Sequence, residues 1–407
     1  LYFPVFLLGA VFGKLIEISG FSKSIVAATI KLVGAERAML AIVLVCALLT
    51  YGGVSLFVVV FAVYPFAAEL FRQNNIPKRL IPGTIALGAF TFTMDALPGT
   101  PQIQNIIPTG FFGTTSWAAP VLGTIGGVFI LIVGMTYLEW RRRTAQRAGE
   151  GYGDPALLIN EPAPFSGGRL ANPLLAVLPL LLVGISNLVF THLILQGYGP
   201  SHEFMPSALG NAVPVVQEVP KLAAIWAVQG ALLVGIGSIL VLAWKPVATS
   251  FAEGSRAAVN GALLASMNTA SEYGFGAVIA ALPGFMIVAN ALGAIPNPLV
   301  NQAVTVTALA GITGSASGGL SIALAAMGDT FIANAQAYNI PMDVLHRVAS
   351  MASGGMDTLP HNGAVITLLA VTGLTHRASY KDIFAITVIK TAAVFFIIGV
   401  FYATGWV

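Results

Sequence analysis

Apolar runs of about 20 residues, the length that crosses the hydrocarbon of a bilayer, recur along the whole chain. Uninterrupted ones cover Leu1 to Ile18, Ala118 to Trp140, Leu174 to Leu195, Ala223 to Trp244, Gly261 to Leu282 and Ile383 to Thr404. Four others are broken by glycine, proline or aspartate: Ala38 to Phe71, Leu80 to Phe112, Val300 to Ala337 and Val344 to Leu374. A weakly amphipathic stretch, Ser22 to Val33, follows the first run. Of the 407 residues 57% are hydrophobic and 9% charged, against about 25% charged in soluble domains. A soluble core cannot hide that much apolar surface, so the chain reads as an all-α membrane protein. The net charge of +3 is gathered in a few loops, which points to membrane topology and away from nucleic acid. Cys46 is the single cysteine, which excludes disulfides and multi-cysteine metal sites.

Short motifs repeat in order. Gly52-Gly53-Val54-Ser55 matches Gly318-Gly319-Leu320-Ser321, Asn75-Ile76-Pro77 matches Asn339-Ile340-Pro341, and Met94-Asp95-Ala96-Leu97-Pro98 matches Met356-Asp357-Thr358-Leu359-Pro360. Gly20-Phe21 pairs with Gly284-Phe285. The spacing is nearly constant, so the halves are read as duplicated. The loops Lys31 to Arg37, Arg72 to Arg79 and Arg141 to Arg147 are basic, whereas Gly113 to Trp117 carries no charge. In the second half the polarity reverses, with His376, Arg377 and Lys381 where the first half is neutral. The positive-inside rule then predicts two inverted repeats. Each holds a re-entrant hairpin and a broken transmembrane helix. The division is residues 1–143 for the first repeat, 144–170 for a cytoplasmic linker and 171–407 for the second. The second repeat has two extra leading spans, so the first is expected to be incomplete at its N-terminus.

A break inside a span must face protein or a water-filled cavity, because lipid offers no partner to free backbone groups. The hairpin tips, Thr50 to Ser55 and Thr313 to Ser321, and the interruptions, Asp95 to Gln102 and Asp357 to Asn362, are therefore where a ligand is expected. Half-helix N-termini favour an anion and freed carbonyls a cation. The substrate candidates are Thr50, Gly52, Gly53, Ser55, Gly99, Thr100, Gln102, Ser315, Ser317, Gly318, Gly319, Ser321, His361 and Asn362. Ionisable groups at membrane depth are usually functional. Glu272, Asp95, Asp357 and Asp329 are the candidates for carrying a coupling proton, with helix capping the alternative for Asp95 and Asp357. Lys14 and Glu17 read as a local pair on one helix face, without a part in transport.

Together these segments point to a secondary active transporter, not an enzyme, with no cofactor and no metal-ligand set. Two other classes stay open. Paired intramembrane aspartates would also suit an aspartyl protease, but its Tyr-Asp and Gly-x-Gly-Asp motifs are missing at Asp95 and Asp357. A channel would show uncoupled flux. Through Gly52 to Ser55, Met94 to Pro98, Gly318 to Ser321 and Met356 to Gly363, the chain resembles the gluconate permease family of the ion transporter superfamily, in its hydroxybutyrate/gluconate permease-like branch. That resemblance covers nearly the whole chain. It implies proton symport of a hydroxy-monocarboxylate such as gluconate or 3-hydroxybutyrate, with sodium coupling the alternative. It also implies an elevator-type movement of the hairpin domain, a homodimer formed through scaffold helices, and a multi-pass place in a bacterial inner membrane. Gly99-Thr100-Pro101-Gln102 stands where the gluconate carriers have a His-Pro-rich break.

Overall fold

The computed structural model describes residues 3–153, 158–162, 170–204, 215–280, 282–283, 291–292 and 295–407. The first half opens with α1 (Phe3–Ile18) and α2 (Phe21–Val33), bent by 69° at Gly20, whose φ of 76° suits glycine. Helices α3 (Ala38–Tyr51) and α4 (Leu56–Gln73) form the first hairpin, turning through Gly52 to Ser55. Next come α5 (Ile81–Ala89), α6 (Phe92–Asp95) and α7 (Ile103–Phe112), one span interrupted where Pro98 and Pro101 withhold backbone donors. Helix α8 (Pro120–Arg147) is continuous.

The second half starts with α9 (Pro173–Tyr198), α10 (Val219–Leu242) and α11 (Trp244–Ala280). Between α9 and α10 an antiparallel ribbon, β1 (Ser201–Phe204) with β2 (Val215–Glu218), pairs Ser201 with Glu218. That ribbon is a small departure from an all-helical chain. Helix α11 also begins well before the apolar run at Gly261 that marks it in the sequence. The second hairpin is α12 (Pro298–Thr313) and α13 (Ala316–Ala337), and the second broken span is α14 (Met342–Ser353) with α15 (Gly363–Thr372). Helix α16 (His376–Thr404) closes the fold. Among the described residues five helices are long and apolar enough to cross a membrane, and the bent α1–α2 pair makes a sixth. The outer face of α9 exposes Leu174, Leu181, Ile185 and Leu188, a surface suited to lipid.

The halves share local detail. Asn75 and Asn339 both adopt positive φ, 49° and 54°. The next amide in each, Ile76 and Ile340, donates to a carbonyl five residues back at 2.8 Å. Gly113 and Gly373 end α7 and α15 with φ of 63° and 66°. Equivalent elements also run in opposite directions. Near the end of α8, Tyr137 and Arg141 bond Asp382 near the start of α16 at 2.8 and 2.6 Å. At the start of α8, the Val121 amide donates to Val407 beyond the end of α16.

One sequence match is corrected. Gly318, Gly319 and Ser321 lie inside α13, and the second tip is only Gly314 and Ser315. Ser55 and Ser315 occupy equivalent N-cap positions, since α13, 22 residues long, begins one turn earlier in its repeat than α4, which has 18. The Gly20-Phe21 pairing cannot be followed, because Gly284 and Phe285 lie outside the described residues.

The basic loops gather at one end. Residues 148–153 and 158–162 of the connection fold onto them: Glu150 pairs with Arg79 (2.6 Å), and Glu161 with Lys78 (3.1 Å) and Arg72 (3.3 Å). The hydrogen bond from Arg79 holds the Glu150 carboxyl below the usual carboxylate range.

Candidate functional site

Both tips and both interruptions open onto a single cavity of about 780 Å³, whose other walls come from α1, α10 and α11. Four helices point their N-termini at it. Ser55 and Leu56 begin α4, Gln102 and Ile103 begin α7, Ser315 and Ala316 begin α13, and Asn362 and Gly363 begin α15. The first N–H groups of a helix have no intrahelical acceptor and carry partial positive charge. In the second half side chains cap them: Ser315 Oγ accepts from the Gly318 amide at 3.1 Å and Asn362 Oδ1 from the Val365 amide at 2.9 Å. In the first half neither Ser55 nor Gln102 caps its own helix. The α4 and α7 ends therefore offer the stronger attraction for an anion.

Each tip is fastened to the interruption of its own half. Gln102 Nε2 donates to the carbonyls of Thr50 (2.7 Å) and Val54 (3.3 Å), and Asn362 Nδ2 donates to that of Gly314 (2.7 Å). These mirrored amides each take up part of the hydrogen-bonding capacity of the tip carbonyls of Thr50, Val54 and Gly314.

The first interruption is fastened to the second broken span by buried polar groups of α14. Arg347 donates to the carbonyls of Asp95 (2.9 Å) and Ala118 (2.7 Å), and to Asn105 Oδ1 (3.0 Å). Ser350 adds a bond to the Asp95 carbonyl at 2.8 Å. His346 bridges Thr114 (2.7 Å, through Nδ1) and Asn105 Oδ1 (3.2 Å, through Nε2). The oxygen at Asn105 assigns the proton to Nε2. Lys390 of α16 ion-pairs with Asp357 and donates to the Phe90 carbonyl at 3.0 Å.

Of the residues expected at the site, Gly53, Ser55, Gln102, Ser315, Ser317, Asn362 and Asp357 line the cavity. The others stand elsewhere. Gly52 packs on Leu180, and Gly319 packs on the backbone of Ala310, where a side chain would collide. Gly318 gives its amide to the α13 cap. Gly99, with φ of 77°, and Thr100, bonded to the Thr93 carbonyl at 2.7 Å, shape the interruption. Thr50 and Ser321 are buried away from the cavity. His361 is exposed beside Gly314, and Asp329 is exposed on α13.

Asp95 lies behind the cavity against Gly354, and neither carboxylate oxygen has a hydrogen-bond partner among the described residues. Neither aspartate caps a half-helix, since Gln102 and Asn362 hold those positions. Glu272 falls within α11, but its side chain lies outside the described residues.

Two features escape a sequence reading. Lys14 and Glu17 do pair, at 2.8 Å, but both also line the cavity, so among the described residues Lys14 is the one lysine or arginine on its wall and shares its charge with Glu17. Lys390 sits inside an apolar run 33 residues from Asp357, and only the packing of α16 brings the two together.

No known protein-family model matches the chain. It is 59% identical over 415 residues to the uncharacterized transporter YxjC of Bacillus subtilis (strain 168), across 100% of this chain and 87% of that protein. Its fold is similar, with a TM-score of 0.52 at 15% identity, to the YdaH transporter of Alcanivorax borkumensis, whose crystal structure revealed an unusual topology. That similarity covers 99% of this chain and 85% of the other, and concerns the fold.

Proposed function

Since the chain belongs to the family of transporters that includes YxjC of Bacillus subtilis, we propose that it is a proton-coupled symporter of a small organic anion. The observation that carries this reading is the convergence of four half-helix N-termini, with Lys14, on one cavity of about 780 Å³. A hydroxy-monocarboxylate such as gluconate or 3-hydroxybutyrate suits it: the carboxylate faces the uncapped ends of α4 and α7, and hydroxyls meet Ser315 and Ser317. This is also what the likeness to gluconate permeases suggests. Proton coupling is favoured over sodium because Gln102 and Asn362 already donate to the tip carbonyls of Thr50, Val54 and Gly314. Asp95, unpartnered among the described residues, can gain or lose a proton without breaking a bond, and Glu272 remains a second candidate.

The division into inverted repeats, 1–143 and 171–407 around the linker 144–170, belongs to this reading. Its support is the antiparallel course of α8 and α16. So does an inner-membrane place with the basic end in the cytoplasm, an elevator movement and a homodimer. A protease would need both aspartates at the substrate, and only Asp357 lines the cavity.

Uptake into proteoliposomes tests the reading, using short hydroxy-carboxylates and proton or sodium gradients imposed separately. Accumulation of a hydroxy-monocarboxylate on a proton gradient alone is expected. Lys14→Gln should raise KM by roughly tenfold, the weight of one charge-assisted hydrogen bond. Accumulation driven solely by sodium, or flux indifferent to both gradients, would reject the coupling.

A further inference from the structure

A second hollow, of about 660 Å³, lies at the basic end between the start of α3 and the last turns of α8. Its wall is divided by chemistry. Met39, Leu40 and Met135 form an apolar side, while Arg37, Arg143 and Arg147 are exposed at its rim. Glu139 is held by Arg142 (2.6 Å) and Arg143 (2.8 Å). Arg37 and Arg147 make no ion pair among the described residues. Four arginines against two glutamates leave the lining positive. Helix α8 is a spanning helix, and Trp140, 56% exposed, lines the hollow immediately before Arg141 to Arg143 and about two turns before α8 ends at Arg147. Tryptophan at that depth marks the boundary between hydrocarbon and water.

We propose that this hollow is a binding site for an anionic phospholipid of the leaflet at the basic end. The lipid phosphate is met by Arg37, Arg147 and Arg143, and the first methylenes of its chains lie along Met39, Leu40 and Met135. A soluble anion would use the arginines but has nothing to place on the apolar side, and a zwitterionic lipid brings no net charge to the rim. Basic pockets among membrane helices recognise anionic headgroups in this way. The site is separate from the transport cavity and requires only that the helices cross a bilayer.

The test is lipid retention by native mass spectrometry, with the thermal unfolding midpoint of the delipidated protein in detergent as a second readout. Phosphatidylglycerol should be retained and raise the midpoint; phosphatidylcholine should do neither. Arg37→Gln with Arg147→Gln should weaken phosphatidylglycerol binding roughly 30-fold, from two interfacial charges. Arg377→Gln with Lys381→Gln, at the same end but outside the hollow, should leave it unchanged. Glu139→Gln, which releases two arginines, should tighten it. Equal stabilisation by phosphatidylcholine, or by glycerol 3-phosphate alone, would overturn the proposal. So would equal loss in the two double variants, or full retention in Arg37→Gln with Arg147→Gln.

Discussion

Asp95 and Asp357 stand in matching motifs, yet the fold treats them differently. Asp357 is buried with Lys390, so removing its charge strands an ammonium inside the protein. Asp357→Asn should therefore cost about 3–5 kcal/mol of stability. Adding Lys390→Met should recover much of it, read as unfolding midpoints of the two singles and the double. Asp95 has no side-chain hydrogen bond to lose among the described residues, although Lys390 and Arg347 lie close enough to act on its charge. Asp95→Asn should fold nearly as the wild type and still exchange substrate, but fail to accumulate it on a proton gradient; accumulation at the wild-type level would remove Asp95 from the coupling.

At the scale of elements, the mirrored amides set what the tips can do. Gln102→Ala and Asn362→Ala each release one tip from its interruption. Each should cost about 0.5–1.5 kcal/mol in stability and raise substrate KM, measured by uptake at several substrate concentrations. The tips and interruptions were legible because glycine, proline and aspartate punctuate runs that are otherwise continuous oil. The matched asparagines, 75 and 339, were legible as a repeat, and their shared left-handed φ gives the reason for it. Other features had no local signature. The Gly318 to Ser321 match misplaces the second tip, since one added helical turn in α13 moves a Gly-Gly-x-Ser motif from loop to helix packing. Lys14 shows its partner one turn away but not the cavity beyond it. Lys390, His346 and Arg347 take their meaning from contacts made across different helices, which no periodicity along one helix records.

At the scale of the molecule, the antiparallel course of α8 and α16 predicts which loops share a side. In a Cys46→Ser background, cysteines at Arg143 and Arg377 should react with an impermeant thiol reagent from one side of a sealed vesicle. Cysteines at Ser201 and Thr404 should react only from the other. Labelling of Arg143 and Thr404 positions from the same side would dismiss the inverted arrangement. The bonds joining tips to interruptions, and α14 and Lys390 to the first broken span, tie both hairpins and both broken spans together. In the proposed elevator these elements slide as one body against α1, α9, α10 and α11.

Asn187 of α9 reaches across that boundary, donating to the Gly99 carbonyl at 3.0 Å and to Ser116 Oγ at 3.2 Å. In the proposed elevator, a latch of this kind would hold the sliding body at one stop of its travel and would have to let go at every crossing. Two neutral hydrogen bonds are worth about 1–3 kcal/mol together, so Asn187→Ala should tilt the balance between stops by roughly 5- to 150-fold. Turnover would quicken if release of this latch is the slow step of the cycle.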